Sequence, residues 1–251
     1  MNDRDSHPPR SGIGPIALTA LAAGIALAGW FLGEGLGDVR DGGRFVAVKG
    51  VAEREVKADL AFWPITLAAT DDDLSRAQTR INQNIAKVRA FLAVNGVDTL
   101  ETSLQNLRVT DVLAQAYGGT PRVGNRFIIQ QTVMVRSNDP ERIRATSEKV
   151  GELVNAGVVL SSGQEWGMGG PTYLFKRLND LKPSMIAEAT AEARKSATQF
   201  AKDSKSRLGG IRRANQGVFV ILPRDEAPGV SEQAQIFKIV RVVTTVEYLL
   251  L

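Results

Sequence analysis

The chain of 251 residues has no cysteine, and its single histidine, His7, lies in the polar N-terminal stretch. The absence of cysteine excludes disulfides, thiolate metal sites and thiol nucleophiles. The absence of histidine beyond residue 7 removes the commonest general base and metal ligand from the rest of the chain. Ser161 and Ser162 precede a glycine and lack the Ser-x-x-Lys spacing, so they are interpreted as turn residues. We therefore expect a non-enzymatic protein with no catalytic residues, no cofactor and no metal.

A large charge excess is also missing, since 31 Lys and Arg residues face 27 Asp and Glu residues, for a net charge of +4. Such a small excess does not favour nucleic-acid binding. Six basic residues nevertheless cluster around the predicted end of the third helix. They are interpreted as complementing the helix dipole, with contact to anionic lipid, nucleic acid or a protein partner as the alternative. These residues are Lys195, Lys202, Lys205, Arg207, Arg212 and Arg213.

One long uncharged run extends from Ser11 to Gly33, between Arg10 and Glu34. It contains 23 residues, and a helix needs roughly 20 apolar residues to cross a bilayer. The run therefore predicts a membrane anchor. The alternative is a cleaved signal peptide, because Ala26-Leu27-Ala28 has the small-x-small form of a cleavage site. The candidate anchor residues are Ile13, Leu18, Leu21, Ile25, Leu27, Trp30 and Phe31.

The anchor divides the chain into four parts. Basic residues before the run and acidic residues after it give a small positive-inside bias, which places the C-terminal part outside the cytoplasm. We expect residues 1–10 to form a cytoplasmic tail, 11–33 the anchor, 34–44 a linker and 45–251 an extracytoplasmic domain.

Hydrophobic periodicity predicts strands in pairs, each pair separated from the next by one helix. The order ββ-α-ββ-α-ββ-α-ββ indicates an α+β fold, with antiparallel sheets packed by three helices. The predicted strand pairs are Phe45–Lys57 with Leu60–Ala69, Leu104–Gln115 with Phe127–Arg136, Val158–Trp166 with Thr172–Leu178, and Gly217–Leu222 with Gln235–Leu250.

The helices have recognisable ends. Three aspartates, Asp71 to Asp73, are interpreted as a cap for the first helix, which Asn95-Gly96 ends. Asp139-Pro140 starts the second helix, which continues to Gly157, and the third runs from Pro183 to Leu208.

Two predicted loops, Tyr117–Arg126 and Gly163–Pro171, contain glycines together with large side chains that could contact a partner if they are exposed. These side chains are Tyr117 in the first loop and Trp166 and Met168 in the second. Within the second loop, Gly163–Gly170 has no phosphate-loop pattern. Both loops are candidate partner contacts, and they would carry the binding site if the protein were a ligand-binding or partner-binding module.

From Phe45 to Leu251 the chain has an ordered set of short features: Val48-Lys49-Gly50, Val56, Asp59, Asn95-Gly96-Val97, Val133–Arg136 before Asp139, Glu188-Ala189, Ala193-Arg194, Ala197–Ala201 and Leu208-Gly209. In order and spacing these features resemble the SIMPL-domain family, which includes bacterial periplasmic immunogenic proteins and membrane-anchored relatives. Ala52 and Ala58 depart from the family pattern, since relatives often have glycine and proline there.

The resemblance implies an envelope protein of the bacterial inner membrane, with its domain in the periplasm, or a periplasmic protein if the N-terminal segment is cleaved. It also implies large ring-like or channel-like homo-oligomers and an association with oxidative stress, without established catalytic residues. The last predicted strand has apolar residues on both faces, as subunit packing requires. Its candidate contacts are Phe237, Ile239 and Val243.

Overall fold

A computed structural model describes residues 24–30, 43–114, 124–161 and 170–251. Within these ranges the chain is an α+β protein with antiparallel sheets. The strands are β1 Phe45–Lys57, β2 Leu60–Asp71, β3 Thr102–Asp111, β4 Phe127–Ser137, β5 Thr172–Leu174, β6 Leu208–Gln216, β7 Val220–Pro223 and β8 Phe237–Leu250. The helices that follow the first strands are α1 Leu74–Val94, α2 Pro140–Glu148, α3 Gly151–Asn155 and α4 Leu178–Asp203.

The strands form two sheets of four strands each. Sheet I has the order β1-β8-β6, and β7 also pairs with β8. Its longest pairing runs without a break from Phe45 opposite Leu249 to Lys57 opposite Phe237. Sheet II has the order β3-β4-β2-β5.

The predicted hairpin between the first two strands is wrong. β1 pairs with β8 in sheet I, whereas β2 pairs with β4 and β5 in sheet II. Between them, the Ala58 N–H donates to the Ile236 carbonyl at 2.8 Å and the Asp59 N–H donates to the Leu174 carbonyl at 3.0 Å. Both backbone groups thus find partners from distant segments, and two residues carry the chain from one sheet to the other.

Each sheet buries one face against helices. The core of sheet II is built from large side chains, which lie between the sheet and helices α1, α2 and α3. Its fully or almost fully buried members include Trp63, Ile65, Leu67, Ile81, Val88, Leu92, Val133, Val135, Ile143 and Leu153.

Sheet I instead packs against a face of α4 that consists mostly of small residues. Ala189, Ala193, Ala197 and Ala201 are buried on one stripe of α4. A Cβ atom placed on Gly50 of β1 would lie 1.8 Å from the Ala189 carbonyl oxygen. Glycine is therefore required at this position, because the helix backbone lies directly on the strand.

The first helix is confirmed, together with its ends. The Asp73 carboxylate accepts a hydrogen bond from the Arg76 N–H at 2.9 Å, as an N-cap residue does. Gly96 follows the helix with a φ of +78°, in the left-handed region that favours glycine.

The other two predicted helices need correction. The second is divided into α2 and α3, with non-helical residues at Lys149 and Val150. The third begins at Leu178, before Pro183, and ends at Asp203. Its stop is Lys205, which has a φ of +54°, and the following Ser206 N–H donates to the Ala201 carbonyl at 2.8 Å. A lysine takes the left-handed position where glycine is usual. The predicted end at Leu208, just before Gly209-Gly210, is therefore wrong.

Those two glycines belong to β6, a strand that the sequence pattern did not predict. In the segment predicted as Val158–Trp166, Leu160 forms an isolated bridge with Leu67, and residues 162–169 lie outside the described ranges. The next predicted strand, Thr172–Leu178, is reduced to β5 because α4 begins at Leu178.

The N-terminal run is described at residues 24–30, which are helical. Within this segment Ile25, Leu27 and Trp30 are exposed. The other candidate anchor residues, Ile13, Leu18, Leu21 and Phe31, lie outside the described residues. No helix in the described part of the chain is long and apolar enough to cross a bilayer.

Candidate assembly surface and a neighbouring cleft

Sheet I has a second face, directed away from α4, which we call the outer face. Its side chains alternate along β1 and β8 with those that α4 buries. Val51 lies opposite Val243 at its centre, and Phe45 lies opposite Leu249 near one end. Val51 remains 43% exposed and Phe45 47% exposed. The outer face therefore presents apolar side chains to solvent on a continuous pair of long strands.

The three candidate contacts of the last strand lie together on this outer face. Phe237, Ile239 and Val243 are spaced by even numbers of residues along β8, so they point to one side. Phe237 is 36% exposed, and the other two are half-buried. The structure thus places these residues on one surface, and their role as subunit contacts stays a prediction.

Charged groups alternate with the apolar pairs on the outer face. Arg241 Nε donates to the Glu53 carboxylate at 2.5 Å across β1 and β8. The guanidinium of Arg212 lies 4.3 Å from the centre of the Phe45 ring and 4.0 Å from the Glu247 carboxylate. Exposed pairs of this kind contribute little to stability but orient a partner, so the surface combines apolar contacts with directional charges.

The edges of the sheets differ in how they are protected. β3, at one edge of sheet II, has a bulge at Asn106, whose φ is +55°. β6 has irregular pairing at two places. β1 pairs with β8 in unbroken register, and its other side has no strand partner among the described residues. Bulges hinder the addition of another strand, so β1 is the most regular open edge.

A cleft of about 450 Å³ lies at the junction of the two sheets. Helix α2, strand β5 and the segment that joins β7 to β8 contribute to it. The lining residues are Glu141, Arg144, Tyr173, Arg224, Asp225, Ala234, Gln235, Ile236 and Phe237.

The polar groups of the cleft are held in fixed positions. The Arg224 guanidinium donates to the Asp225 carboxylate at 2.7 Å, which lowers the pKa of Asp225, and lies 5.2 Å from the centre of the Phe237 ring. Gln235 joins the two ends of the segment, since its amide donates to the Asp225 carbonyl at 2.7 Å and accepts from the Asp225 N–H at 3.1 Å. Burial raises the pKa of Tyr173 to about 12 by disfavouring the charged phenolate.

A buried lysine supports the same segment. Lys238 is 0% exposed, and its ammonium donates to the Glu232 carbonyl at 2.6 Å and lies 2.5 Å from the Glu232 carboxylate. If the Glu232–Ala234 turn moved away, the Lys238 ammonium would be left buried and unpaired, which costs folding free energy. The pair therefore holds this turn against β8.

The SIMPL family model, described as a protein of unknown function (DUF541), matches residues 46–244. The chain belongs to the SIMPL family. The matched region begins in β1 and ends within β8, so it includes both sheets and the cleft of the SIMPL domain. No curated protein matches the chain.

Sequence reasoning missed the cleft of the SIMPL domain. Its polar residues come from segments as far apart as Glu141 and Gln235, and no spacing along the chain connects them. The buried Lys238 was missed for a related reason, because a lysine in an alternating strand is ordinarily read as solvent-facing. The polar residues between Leu222 and Gln235 indicate a loop between two predicted strands, and nothing in them indicates a cleft.

The three aspartates before α1 have separate structural roles. Asp71 is buried and accepts hydrogen bonds from Arg76 at 2.8 Å and from the Asp73 N–H at 3.0 Å. These bonds, with the nearby charges of Arg76 and Arg80, lower the pKa of Asp71 from 3.8 to about 2. Asp72 accepts from the Arg126 N–H at 3.1 Å. The group therefore joins β2, α1 and the start of β4.

The loop candidates Tyr117, Trp166 and Met168 lie outside the described residues. Across the described ranges, no group of three or more His, Cys, Asp or Glu residues has an arrangement that could hold a metal ion.

Proposed function

We propose that this SIMPL-domain protein is a non-enzymatic, membrane-anchored protein of the cell envelope that acts as a ring-like or channel-like homo-oligomer. The membrane and periplasmic parts of the proposal rest on the uncharged run from Ser11 to Gly33 and on the charges that flank it. A connection to oxidative stress rests on the family resemblance alone.

The observation that carries the assembly proposal is the outer face of sheet I. Exposed apolar residues in the centre, with charged pairs around them, are the arrangement found in protein interfaces. Val51 and Val243 supply the apolar centre, while Glu53 and Arg241 supply a neighbouring charged pair. The open edge of β1 adjoins the same surface, so a second subunit could use side-chain packing and strand pairing together.

The test is the mass of the full-length protein in detergent, measured by light scattering, together with single-particle images. We expect a large closed assembly for the natural sequence and smaller species for Val243→Asp, because the new carboxylate would be desolvated at the interface. Val94→Asp is the matched control, since Val94 is 86% exposed at the end of α1. Unchanged mass of Val243→Asp, with an intact circular-dichroism spectrum, would contradict the use of this face.

The alternative function is a periplasmic ligand-binding or partner-binding module, and the cleft favours it. Its volume of about 450 Å³ is within the usual range for small-molecule sites. Arg144 and Arg224 both line the cleft, and Arg224 lies over the Phe237 ring. This arrangement suits a small ligand with an apolar part and a carboxylate that shares the arginines with their present partners, Glu148 and Asp225.

A thermal-shift screen of small carboxylates against the full-length protein tests this alternative. A carboxylate ligand should raise the melting temperature of the natural sequence and of Arg89→Ala, whose side chain is exposed on α1 away from the cleft. It should have no effect on Arg224→Ala. Equal shifts in the two variants would exclude the cleft as the binding site.

A further inference from the structure

One end of sheet I concentrates positive charge, and we call it the basic end. It comprises residues 44–46, 200–213 and 247–251. The segments meet there because the Leu250 N–H donates to the Arg44 carbonyl at 2.7 Å, and Arg207 and Leu251 exchange two backbone hydrogen bonds of 2.8 Å. The start of β1, the end of α4, the start of β6 and the end of β8 thus lie side by side.

The basic end has six cationic side chains and two acidic side chains, those of Asp203 and Glu247. Counted over side chains, its net charge of +4 equals that of the whole chain, so the remaining side-chain charges of the protein cancel. The cations are Arg44, Lys202, Lys205, Arg207, Arg212 and Arg213.

The helix dipole does not account for this concentration. Lys202 lies in the last turn of α4 and Lys205 follows it, but Arg207 immediately precedes β6, Arg213 lies within it, and Arg44 precedes β1. In the described part of the chain, Arg44, Lys202, Lys205, Arg207 and Arg213 form no side-chain ion pair, and all five are exposed. Their charge is therefore available to a partner.

Exposed apolar side chains lie among these cations. Phe200, in the last turn of α4, is 56% exposed, Ile211 in β6 is 55% exposed and Leu251 is 70% exposed. Apolar groups between cations are typical of surfaces that bind at the boundary between lipid headgroups and acyl chains.

The position of the basic end also favours a membrane. The folded domain begins at this end, and Trp30, the last residue of the described helical segment 24–30, precedes Arg44 by 14 residues. In a domain tethered through that segment, the end at which the chain begins is the end next to the tether.

We propose that the basic end is a docking surface for the anionic headgroups of the membrane to which the domain is tethered. This inference rests on the proposed anchor and names the surface that the anchored domain presents to the bilayer. Electrostatic attraction to anionic lipid would hold the long axis of β1 and β8 away from the membrane plane, leaving the outer face free for other subunits.

The test measures partitioning of the full-length protein onto vesicles of phosphatidylcholine, with and without phosphatidylglycerol, at low and high salt. Lys202→Gln/Arg207→Gln/Arg213→Gln removes three cations from the basic end. The matched control, Arg89→Gln/Arg108→Gln/Lys176→Gln, removes three exposed cations elsewhere and reaches the same net charge. Circular dichroism checks that both variants are folded.

Phosphatidylglycerol should strengthen binding of the natural sequence and of the control. The increase in vesicle affinity caused by phosphatidylglycerol should fall by roughly fivefold for each cation removed from the basic end. It should therefore fall by the order of 100-fold in the triple variant. High salt should reduce the gain of the natural sequence, a readout that needs no variant.

The outcomes separate the docking surface from the anchor. Binding to neutral vesicles with no gain from phosphatidylglycerol would overturn the docking surface and leave the anchor supported. Binding to vesicles that contain phosphatidylglycerol, without binding to neutral vesicles, would support the docking surface and count against the anchor. Equal losses in the two triple variants, or tighter binding to duplex DNA than to phosphatidylglycerol vesicles at the same salt, would also overturn the lipid assignment.

Discussion

The two sheets pack against their helices with side chains of different size. Sheet II contacts its helices through long side chains such as Leu67 and Trp63. The valines of sheet I instead face a helix stripe made mostly of alanines, and the backbone of α4 lies directly on Gly50. Large side chains can rearrange slightly around a defect, but a helix backbone that touches a strand has no such freedom. We therefore expect sheet I to tolerate substitutions of its inner face less well than sheet II.

The largest effect should come from adding volume at Gly50. Gly50→Val would place Cβ against the backbone of Ala189 and Ala193, so we expect a loss of more than about 3 kcal/mol in the free energy of unfolding, or failure to fold. Gly210→Val is the matched control, because a Cβ at Gly210 meets no atom within 4 Å. Chemical denaturation of both proteins checks the difference, and similar losses would show that the contact with α4 is not the cause.

A smaller effect is expected from removing volume in sheet II. Leu67 is 0% exposed, and Leu67→Ala should lower the free energy of unfolding by about 2–5 kcal/mol through lost burial and the cavity left behind. Leu100→Ala, at a residue 92% exposed, should change it by less than about 0.5 kcal/mol. If urea denaturation found the two variants equally stable, the assignment of Leu67 to the core would be wrong.

The smallest effect concerns the charged contacts where sheet II meets α1. The pKa of Asp71 is lower in the folded protein, so its contribution to stability is present above the ordinary value of 3.8 and is lost as the pH falls through about 2. Asp71→Asn should be less stable than the natural sequence at neutral pH, and the difference should shrink toward pH 2. Asp180→Asn, at an exposed residue in the first turn of α4, serves as the control. A difference between natural sequence and Asp71→Asn that does not vary with pH would contradict this account.

The sequence was most informative where local signals agree. Apolar residues at spacings of three and four along α1, the Asp73 cap and Gly96 all describe one helix, and its ends lie where these signals place them. β6 was missed because its residues are mostly exposed and include two arginines and two glycines, so no alternating pattern exists. The end of α4 was misplaced because Lys205 takes a conformation that sequence reasoning assigns to glycine.

The sequence also did not reveal which strands pair across long stretches of the chain. Nothing near Ala58-Asp59 shows that β1 continues into one sheet and β2 into another, because the deciding partners, Ile236 and Leu174, lie more than a hundred residues away. The outer face could be predicted in part, since Phe237, Ile239 and Val243 share a period of two. The cleft could not be predicted, since it exists only after both sheets have formed.

The central position of β8 also determines the order in which the domain can be completed. β1, β6 and β7 each pair with β8 and with no other strand in the described part of the chain. The strands of sheet II, in contrast, are all present once residue 174 has been made. During synthesis or transport across a membrane, β1 must therefore wait until residues 237–250 have emerged before it finds its partner. Sheet I therefore forms after sheet II, and the backbone groups of β1 stay unpaired for longest while the chain is still growing.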